Sequence, residues 1–251
     1  MDFEYIYEKN GLKYLTEEQT IFSDVYLAIR EKENRILSDI EVLKLPLTSS
    51  KNNNSLEWKL RQKSANRFIT YLKNKSEGLL ILDIGCGNGW FSNLISDFSI
   101  KNQIIGLDIN KEELEQATRV FNKENLQFVY GDIFDLKNIF FNKFDIICLN
   151  ASIQYFSDFN KLITLLKQFL KINGEIHIID SPFYEEKEIK KAKLRTELYY
   201  TNLGFLEMKK NYFHHKKTDI KDFIILYKPK GYIIRKISKK DTPFMWLKYS
   251  K

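Results

Sequence analysis

Three glycines that follow an acid at regular spacing can hold a cofactor against bare backbone. The motif consists of Asp83, Gly85, Gly87 and Gly89. It ends an apolar run at 79–82, and a helix is predicted to follow from Trp90 to about Phe98. Glycine adopts positive φ and has no Cβ to collide with a ligand, and the first N–H groups of such a helix face the same ligand. The pattern therefore predicts a cofactor-binding turn between a strand and a helix.

Two further acids end the next predicted strands. Asp108 closes the run 103–109, about twenty residues after the last glycine, where doubly wound folds accept hydrogen bonds from a ribose. Asp108 is therefore the predicted ribose ligand. Asp132 lies in a third strand at 128–133, and a fourth is predicted at 143–150. Strands and helices at this interval predict right-handed crossovers and a mostly parallel sheet, with these strand ends on one edge.

Residues 57 to 230 resemble the class I S-adenosylmethionine-dependent methyltransferases. The glycine motif matches the first family motif, Asp108 the ribose acid, Asp132 the adenine-side acid, and 144–147 through Asn150 the fourth motif. The resemblance implies that S-adenosylmethionine is the cofactor. The cofactor-binding residues that it predicts are Arg61, Asp83, Gly85, Gly87, Gly89, Asp108, Ile109, Asp132, Ile133 and Asn150.

Two other kinds of glycine-rich site fit this motif less well. A dinucleotide fingerprint has the spacing G-x-G-x-x-G, whereas this chain has G-x-G-x-G with an acid two residues before the first glycine. A phosphate-binding P-loop needs Gly-Lys-Ser/Thr, and here Gly89 is followed by Trp90 and Phe91. Both differences favour a sulfonium nucleoside.

A helix predicted at 56–75 precedes the glycine-motif strand and begins with Trp58 and Arg61, one turn apart. In methyltransferases of this general build, a helix in this place often closes over the cofactor. One hypothesis is that Arg61 pairs with the methionine carboxylate while Trp58 shields the methyl group. The alternative is that Trp58 packs on the sheet and Arg61 is a surface charge.

Candidates for the acceptor side follow the fourth and fifth strands, because ligands of open α/β sheets bind at the carboxyl ends of the strands. The candidate catalytic residues are Tyr155, Asp180 and His214, and the candidate substrate-binding residues are Trp58, Gln154, Tyr155 and Tyr184. Asp180 has an alternative role as a helix cap, and His214 and His215 an alternative place at a solvated hairpin tip. His177, in mid-strand, is predicted to be a core imidazole. Many small-molecule relatives have a histidine near 154 or 155, and its absence here counts against histidine catalysis at this place.

These elements predict an α/β fold: a Rossmann-like, doubly wound, seven-stranded, mostly parallel sheet with an antiparallel last strand and an N-terminal helical cap. A chain of 251 residues with 43% hydrophobic content supports a substantial core. The predicted parts are a cap and linker at 1–55, the methyltransferase domain at 56–230, and a tail at 231–251 that docks on the domain or on a partner. The last two strands are predicted at 205–213 and 222–227, as an antiparallel hairpin. Gly174 is predicted to end the preceding helix.

The net charge of +7 is concentrated towards the carboxyl terminus. From residue 185 onward the chain has 18 Lys and Arg against 8 Asp and Glu, and residues 1–184 have 22 against 25. One interpretation is attraction for an anionic partner such as nucleic acid, and the other is a solvated lysine face. With no apolar run of about twenty residues, we expect a cytoplasmic protein without a membrane partner. Two cysteines without metal-type spacing predict neither a disulfide nor a metal site.

These observations predict methyl transfer from S-adenosylmethionine to a nitrogen or oxygen atom of a small or medium-sized metabolite. Placement and exclusion of water carry most of the catalysis, and a general base is needed only if the acceptor loses a proton. One alternative is an RNA or tRNA methyltransferase that uses the basic C-terminal third. Another is a non-catalytic, cofactor-binding partner subunit. Residues 150–153 lack the two prolines typical of DNA-base amino-methyltransferases.

Overall fold

The computed structural model describes residues 3–48, 54–230 and 241–251, and a mixed sheet of nine strands runs through its centre. The strands are β1 (Tyr7–Lys9), β2 (Leu12–Tyr14), β3 (Leu80–Ile84), β4 (Gln103–Asp108), β5 (Leu126–Tyr130), β6 (Phe144–Asn150), β7 (Leu170–Ser181), β8 (Ile224–Tyr227) and β9 (Met245–Ser250). Their spatial order is β1-β2-β5-β4-β3-β6-β7-β9-β8. Strands β3 to β7 pair in parallel, and β9 runs antiparallel to both of its neighbours. The sheet is therefore mostly parallel with an antiparallel last strand, as predicted.

Helices cover both faces of the sheet. They are α1 (Thr20–Lys32), α2 (Asp39–Leu43), α3 (Ser55–Leu72), α4 (Trp90–Phe98), α5 (Lys111–Val120), α6 (Lys137–Phe140), α7 (Phe159–Phe169) and α8 (Glu186–Leu203). Leu82 of β3 belongs to the same core as Leu162 of α7, whereas its neighbour Ile81 belongs to the opposite core with Phe68 of α3. Burial on both faces explains why four of the five residues of this strand are apolar, with Asp83 as the exception. Within the described ranges, no helix combines the length and the apolar character needed to cross a bilayer.

The parallel register brings several strand ends to one edge. Ile84, the last residue of β3, pairs with Leu107 of β4 and Leu149 of β6, and Asp108 pairs with Tyr130 of β5. After β3 the chain forms β4 and β5 on one side of β3, and it then crosses to the other side to form β6 and β7. The glycine turn that follows β3 therefore lies where the strand order reverses. Crevices at such a position are where open α/β sheets bind their ligands.

The sheet has nine strands and not the predicted seven. The two additional strands, β1 and β2, come from the segment for which the sequence predicts only a helical cap. β2 pairs in parallel with β5, and Tyr14 is fully buried with its ring stacked 4.9 Å from that of Tyr130. Strands of three residues are too short for their alternation to be recognised in the sequence.

The last strand comes from the predicted tail and not from residues 205–213. Those residues form a 3-10 turn, Leu206–Asn211, in which Met208 packs with Ile29 and Tyr200 of α1 and α8 instead of joining the sheet. β8 therefore pairs with β9, and the predicted hairpin is wrong. Residues 231–240 of the predicted tail lie outside the described residues.

Gly174 does not end a helix. α7 ends at Phe169, and β7 begins at the next residue, so Gly174 lies inside β7. A Cβ there would lie 3.0 Å from the backbone oxygens of Lys171 and Phe144, and this crowding is a reason for glycine inside the strand. In the predicted linker, residues 49–53 also lie outside the described residues.

Candidate active site

A cavity of about 300 Å³ opens at the carboxyl ends of β3, β4, β5 and β6. One side is formed by the glycine turn and by Asp108, Asp132 and Asn150 from neighbouring strand ends. The other side is formed by the start of α3 and by a segment that we call the lid, which consists of α1 and residues 33–37. The size is at the lower end of the range for small-molecule sites, which are typically concave and placed at such strand ends.

The glycine turn keeps its backbone accessible from the cavity. Gly85, Gly87 and Gly89 have φ values of 70°, 52° and 75°. A Cβ at Gly89 would lie 2.4 Å from Cζ of Phe128, so this position needs glycine for packing as well. At Gly87 the nearest atom to such a Cβ would be a carboxylate oxygen of Glu113, at 3.1 Å. Gly87 lines the cavity, so a side chain at this position would intrude on a bound ligand.

Asp108 connects the end of β4 to the glycine turn. One carboxylate oxygen accepts a hydrogen bond from Gly87 N–H at 2.8 Å. The other accepts from Ile109 N–H at 2.7 Å and from Asn110 N–H at 2.9 Å. Burial raises the pKa of this carboxyl, and the three backbone donors oppose that effect. Asp108 and Ile109 both line the cavity, as predicted for cofactor residues.

Two carboxyls with shifted pKa values line the cavity, the buried Asp83 and the half-buried Glu113. Asp83 is 1% exposed, and Ser92 Oγ donates to one of its oxygens at 2.6 Å. Its other oxygen has no hydrogen-bond partner in the described part of the chain. Burial raises the pKa of Asp83, and also that of Glu113 on α5, to about 7. A cation bound in the cavity would favour the ionised form of both groups.

Asp132, Ile133 and Asn150 line the cavity at the ends of β5 and β6. One carboxylate oxygen of Asp132 accepts from Phe134 N–H at 3.0 Å, which caps the 3-10 turn Ile133–Asp135. The buried side-chain oxygen of Asn150 has no hydrogen-bond partner among the described residues. Asp132 and Asn150, which are predicted to bind the cofactor, thus both line the cavity, and the amide oxygen of Asn150 is available to accept a hydrogen bond.

Trp58 and Arg61 also line the cavity, at the start of α3. The Trp58 ring packs edge-on against Trp90, with 5.4 Å between centroids, and the Arg61 guanidinium lies 5.3 Å from the centre of the Trp58 ring. Arg61 is paired with Glu57 at 2.9 Å, and Glu57 also pairs with Arg35 of the lid at 2.7 Å. The two guanidiniums hold the pKa of Glu57 down at about 2 although burial opposes them. Glu57 thus joins the lid to α3.

Of the predicted acceptor-side residues, Tyr155 lines the cavity together with Trp58, whereas Asp180 lies outside it. Asp180 is buried and accepts from Ser64 Oγ at 2.7 Å and from Thr242 Oγ1 at 2.9 Å. It fixes α3 and the segment before β9 to the end of β7. The predicted catalytic role of Asp180 does not fit this position, and the alternative of capping the next helix does not describe it either.

Tyr184, His214 and Gln154 also lie outside the cavity. The Tyr184 ring packs on His214, with 5.3 Å between centroids, and the His214 ring bonds to Thr196 Oγ1 at 2.9 Å. Gln154 donates to the carbonyl oxygen of Ala151 at 2.5 Å. His214 and His215 follow the 3-10 turn and are not at a solvated hairpin tip. Burial lowers the pKa of both imidazoles. These placements do not fit the predicted acceptor contacts, because the side chains are engaged in local packing.

His177 is a core imidazole, as predicted. It is fully buried, and Trp246 Nε1 donates to its Nδ1 at 3.1 Å. Its Nε2 lies 3.3 Å from a carboxylate oxygen of Glu175. The two cysteines, Cys86 and Cys148, are buried as separate free thiols.

Three lid residues that are absent from the predicted site also reach the cavity. Tyr26, Arg30 and Arg35 all line it. One guanidinium nitrogen of Arg30 donates to the Tyr26 hydroxyl at 2.5 Å, and the Tyr26 ring lies edge-on to Tyr155, with 5.8 Å between centroids. The available signal was the i, i+4 spacing of Tyr26 and Arg30 on a helix predicted to be amphipathic. Glu113 also lines the cavity, from the first turn of α5, where Asn110 caps the helix and accepts from Glu113 N–H at 3.1 Å.

The groups around the glycine turn fit S-adenosylmethionine. Asp83, Asp108, Glu113 and Asp132 place carboxyl groups on one side of the cavity, and lone pairs of Asp83 and Asn150 are without partners in the part of the chain described here. Carboxylates near neutral pH suit a ligand that carries sulfonium and ammonium charges. The bare backbone at Gly87 leaves room for its amino-acid portion.

Comparisons with known proteins agree with this site. The profile of a family described as "Methyltransferase domain" matches residues 75–222. A malonyl-[acyl-carrier protein] O-methyltransferase of Acetivibrio thermocellus is 28% identical over 166 residues, which is 63% of this chain and 58% of that protein. A ribosomal RNA small subunit methyltransferase C of Haemophilus influenzae is 30% identical over 128 residues, 48% of this chain and 38% of that protein. This chain therefore spans less than two thirds of the length of these relatives.

A solved structure has a similar fold. The geranyl diphosphate C-methyltransferase of Streptomyces coelicolor, solved with S-adenosyl-L-homocysteine among its ligands, aligns with a TM-score of 0.52 at 11% identity. The alignment covers 71% of this chain and 66% of that one. At this identity the likeness concerns the fold alone. The matched domain, which covers more than half of the chain, together with the cofactor cavity, shows that the chain belongs to the S-adenosylmethionine-dependent methyltransferases.

Proposed function

We propose that this chain transfers the methyl group of S-adenosylmethionine to an oxygen or nitrogen atom of a small or medium-sized metabolite. The observation that carries the proposal is a cavity with two unlike sides. Carboxyl groups and bare backbone lie on the glycine-turn side, and aromatic and guanidinium groups lie on the lid side. The first side suits the cofactor, and the second suits an acceptor next to it.

The residues on the glycine-turn side would hold the cofactor. The Asp108 carboxylate, which already accepts a hydrogen bond from the glycine turn, would also accept hydrogen bonds from the ribose hydroxyls. Asp132, Ile133 and Asn150 would contact the adenosine portion. Arg61 would pair with the methionine carboxylate, in exchange for part of its pairing with Glu57.

The residues at the boundary between the two sides would orient the reactants and exclude water. When bound, S-adenosylmethionine supplies a methyl group on an electrophilic sulfonium. Trp58 and Trp90 would shield this region from solvent and keep water away from the reacting atoms. Burial raises the pKa of the Tyr155 hydroxyl, so at neutral pH it donates a hydrogen bond and does not serve as a base. Catalysis would thus rest on placement, which can contribute several kcal/mol.

The relatives make oxygen the first acceptor atom to test. The relative from Acetivibrio thermocellus is named as an O-methyltransferase that acts on a malonyl group bound to a carrier protein. By analogy, an acyl group on a carrier is one acceptor for this chain, and a free small metabolite is another. The similarity extends over 63% of this chain and does not by itself specify the acceptor.

RNA is a second candidate acceptor. The ribosomal RNA methyltransferase relative and the basic C-terminal third of the sequence favour it. Several lysines of this region are paired with acids of α8: Lys209 with Glu197, Lys216 with Glu186 and Lys217 with Glu185. Such pairing reduces the charge available to phosphates, and for this reason we place RNA second.

The test is cofactor uptake and turnover in matched glycine variants. Calorimetry should detect binding of S-adenosylhomocysteine to the wild-type chain, and incubation with S-adenosylmethionine and a metabolite mixture should yield S-adenosylhomocysteine. Gly87→Val should abolish binding because its side chain would occupy the turn beside the cavity. Gly78→Val is the control: its φ is also positive, at +81°, but it lies outside the cavity with no atom near its Cβ. Normal binding by folded Gly87→Val, or no uptake by the wild type at millimolar cofactor, would contradict the proposal.

A further inference from the structure

The lid side of the cavity contains a cation within reach of an acceptor. Arg30 lines the cavity on α1, and its neighbours there include Tyr26 and Tyr155. Tyr155 follows the carboxyl end of β6, and acceptors of open α/β sheets bind beyond such strand ends. A ligand that extends from the glycine turn towards the lid would therefore meet Arg30.

The Arg30 guanidinium is held in place by its neighbours. One of its nitrogens donates to the Tyr26 hydroxyl at 2.5 Å, and its centre lies 4.7 Å from the middle of the Tyr26 ring. A second nitrogen contacts Glu33 at 3.3 Å, and Glu33 is shared with Arg35, also at 3.3 Å. The Arg30 side chain is only 23% exposed. A fixed guanidinium with five N–H donors matches the two oxygens of a carboxylate.

The charges of the cavity are divided between its two sides. Arg30, Arg35 and Arg61 lie on the lid side, and the carboxyl groups of Asp83 and Asp108 lie on the glycine-turn side. Glu57 and Glu33 are each shared between two arginines. Glu113 also lines the cavity and interacts with Arg30, and burial raises its pKa to about 7, so it is only partly ionised at neutral pH. Among the described residues, the lid side therefore has more guanidiniums than fully ionised carboxylates, which favours an anion beside the lid and a cation beside the glycine turn.

Two tyrosines that face this anion position donate hydrogen bonds. Burial raises the pKa of both Tyr26 and Tyr155, so their hydroxyls stay protonated. His214, the predicted base, lies outside the cavity. The Glu113 carboxyl, with a pKa of about 7, is the group at this position that can accept a proton. A carboxylate acceptor has no proton to lose and therefore needs no base.

We propose, on the basis of the function proposed above, that the acceptor is a carboxylate and that Arg30 is the residue that anchors and selects it. A carboxylate oxygen attacks the methyl carbon, the O–CH₃ bond forms, the S–CH₃ bond breaks, and the electron pair of that bond stays on sulfur. No proton moves. A negative acceptor and a positive sulfonium become a neutral methyl ester and a neutral thioether, and water exclusion by the lid favours this loss of charge.

The first test compares acceptors that differ only in the reacting group. Wild-type protein saturated with S-adenosylhomocysteine is titrated with hexanoate, hexylamine and hexanol, and likewise with benzoate and with the N-acetylcysteamine thioester of malonate. We expect the carboxylates to bind at least about tenfold more tightly than the amine and the alcohol. With S-adenosylmethionine, the bound carboxylates should yield methyl esters detectable by mass spectrometry. Binding of none of the carboxylates, or preference for the amine, would overturn the inference.

The second test assigns the selectivity to Arg30. Arg30→Gln should weaken carboxylate binding by about tenfold or more, and Arg30→Lys, which keeps the charge and loses the fork, by less. Arg195→Gln, an exposed arginine of α8 outside the cavity, is the control and should leave binding unchanged. Binding of S-adenosylhomocysteine by each variant is measured separately. If the cofactor product binds and Arg30→Gln still binds carboxylates normally, this inference fails alone; if the cofactor product does not bind the wild type, the proposed function fails.

Discussion

Asp108 both faces the cavity and orders the turn that the cofactor would contact. Its two oxygens accept three backbone hydrogen bonds, including the one from Gly87. We predict that Asp108→Ala weakens S-adenosylhomocysteine binding by about 1–3 kcal/mol, because the ribose hydroxyls lose their acceptor and the turn loses its support. Calorimetry measures this effect, with Asp97→Ala, an exposed acid paired with Lys123, as the control. An unchanged affinity would refute the ribose assignment.

Asp83 and Glu113 make stability depend on pH. Burial raises the pKa of each carboxyl to about 7 in the folded protein, above the ordinary values of 3.8 and 4.5. A raised folded pKa contributes stability that is complete below about pH 4 and is lost as the pH rises through 7. Each unit of difference in pKa corresponds to about 1.4 kcal/mol. The folded protein without ligand should thus lose stability between about pH 4 and 7.

We predict that Asp83→Asn removes part of this loss. The amide keeps an acceptor for Ser92 Oγ and carries no charge, so the variant should melt at a higher temperature than the wild type at pH 8 and at a similar temperature at pH 4. Thermal unfolding of both proteins from pH 4 to 8 measures the difference, with Asp97→Asn as an exposed control. A parallel shift at all pH values would show that the carboxyl does not titrate in this window. In the wild type, cofactor affinity should rise over the same range, because the ionised carboxyls attract the sulfonium.

The residues of the site that the sequence predicts best are those adjacent to each other along the chain. Gly85, Gly87 and Asp108 could be located because a strand end, a turn and a helix start are local features. Arg30 and Glu113 reach the cavity only through the packing of their helices, and nothing in their local sequence specifies that contact. Asp180 is predicted in the site because it ends the fifth strand, and His214 because histidine can act as a base near neutral pH. Side-chain contacts elsewhere hold both of them away from the cavity.

At the level of elements, predictions were best where burial or glycine set sharp limits. α4 begins at Trp90 after Gly89, and α8 ends before Gly204, which has a φ of +85°. The prediction failed at 205–213, where apolar residues form a 3-10 turn that packs on α1 and α8. The strand that fills that place is β9, whose aromatic residues were expected to be covered but could not be assigned a partner from sequence alone. Long-range pairing, and not local propensity, makes β9 a strand.

β9 is attached to the sheet by a buried side-chain hydrogen bond as well as by backbone pairing. Trp246 Nε1 donates to His177 Nδ1 at 3.1 Å, between β9 and β7. We predict that Trp246→Phe lowers the free energy of unfolding by about 1–3 kcal/mol, because it leaves a buried acceptor unsatisfied and removes packing. Urea unfolding measures the change, and Tyr249→Phe on the same strand is the control. The affinity of Trp246→Phe for S-adenosylhomocysteine should stay within about twofold of the wild type, since Trp246 does not line the cavity. An equal loss in the free energy of unfolding in Trp246→Phe and Tyr249→Phe would argue against a specific role for the indole.

For the molecule as a whole, the positive charge must be weighed against where it lies. The net charge of +7 arises from the region after residue 185, and several of its lysines pair with acids of α8. The proposed acceptor position is instead inside the cavity, next to Arg30, whose side chain is only 23% exposed. General attraction for polyanions and recognition of an acceptor are therefore separable properties of this protein.

We predict that RNA binds weakly and without effect on methyl transfer. Non-specific binding through scattered lysines typically has a dissociation constant of about 10⁻⁴ to 10⁻⁶ M at physiological salt and weakens as salt is added. Fluorescence anisotropy with transfer RNA at several salt concentrations should show this behaviour, and Lys190→Glu combined with Lys193→Glu should weaken it further. The same variant should keep its affinity for S-adenosylhomocysteine and for carboxylates, because neither lysine lines the cavity. A dissociation constant for transfer RNA below about 10⁻⁷ M at physiological salt, together with methylated RNA as product, would contradict this prediction. Affinity of that order exceeds what non-specific phosphate contacts provide. RNA would then be the acceptor, and the carboxylate position would be an accessory feature.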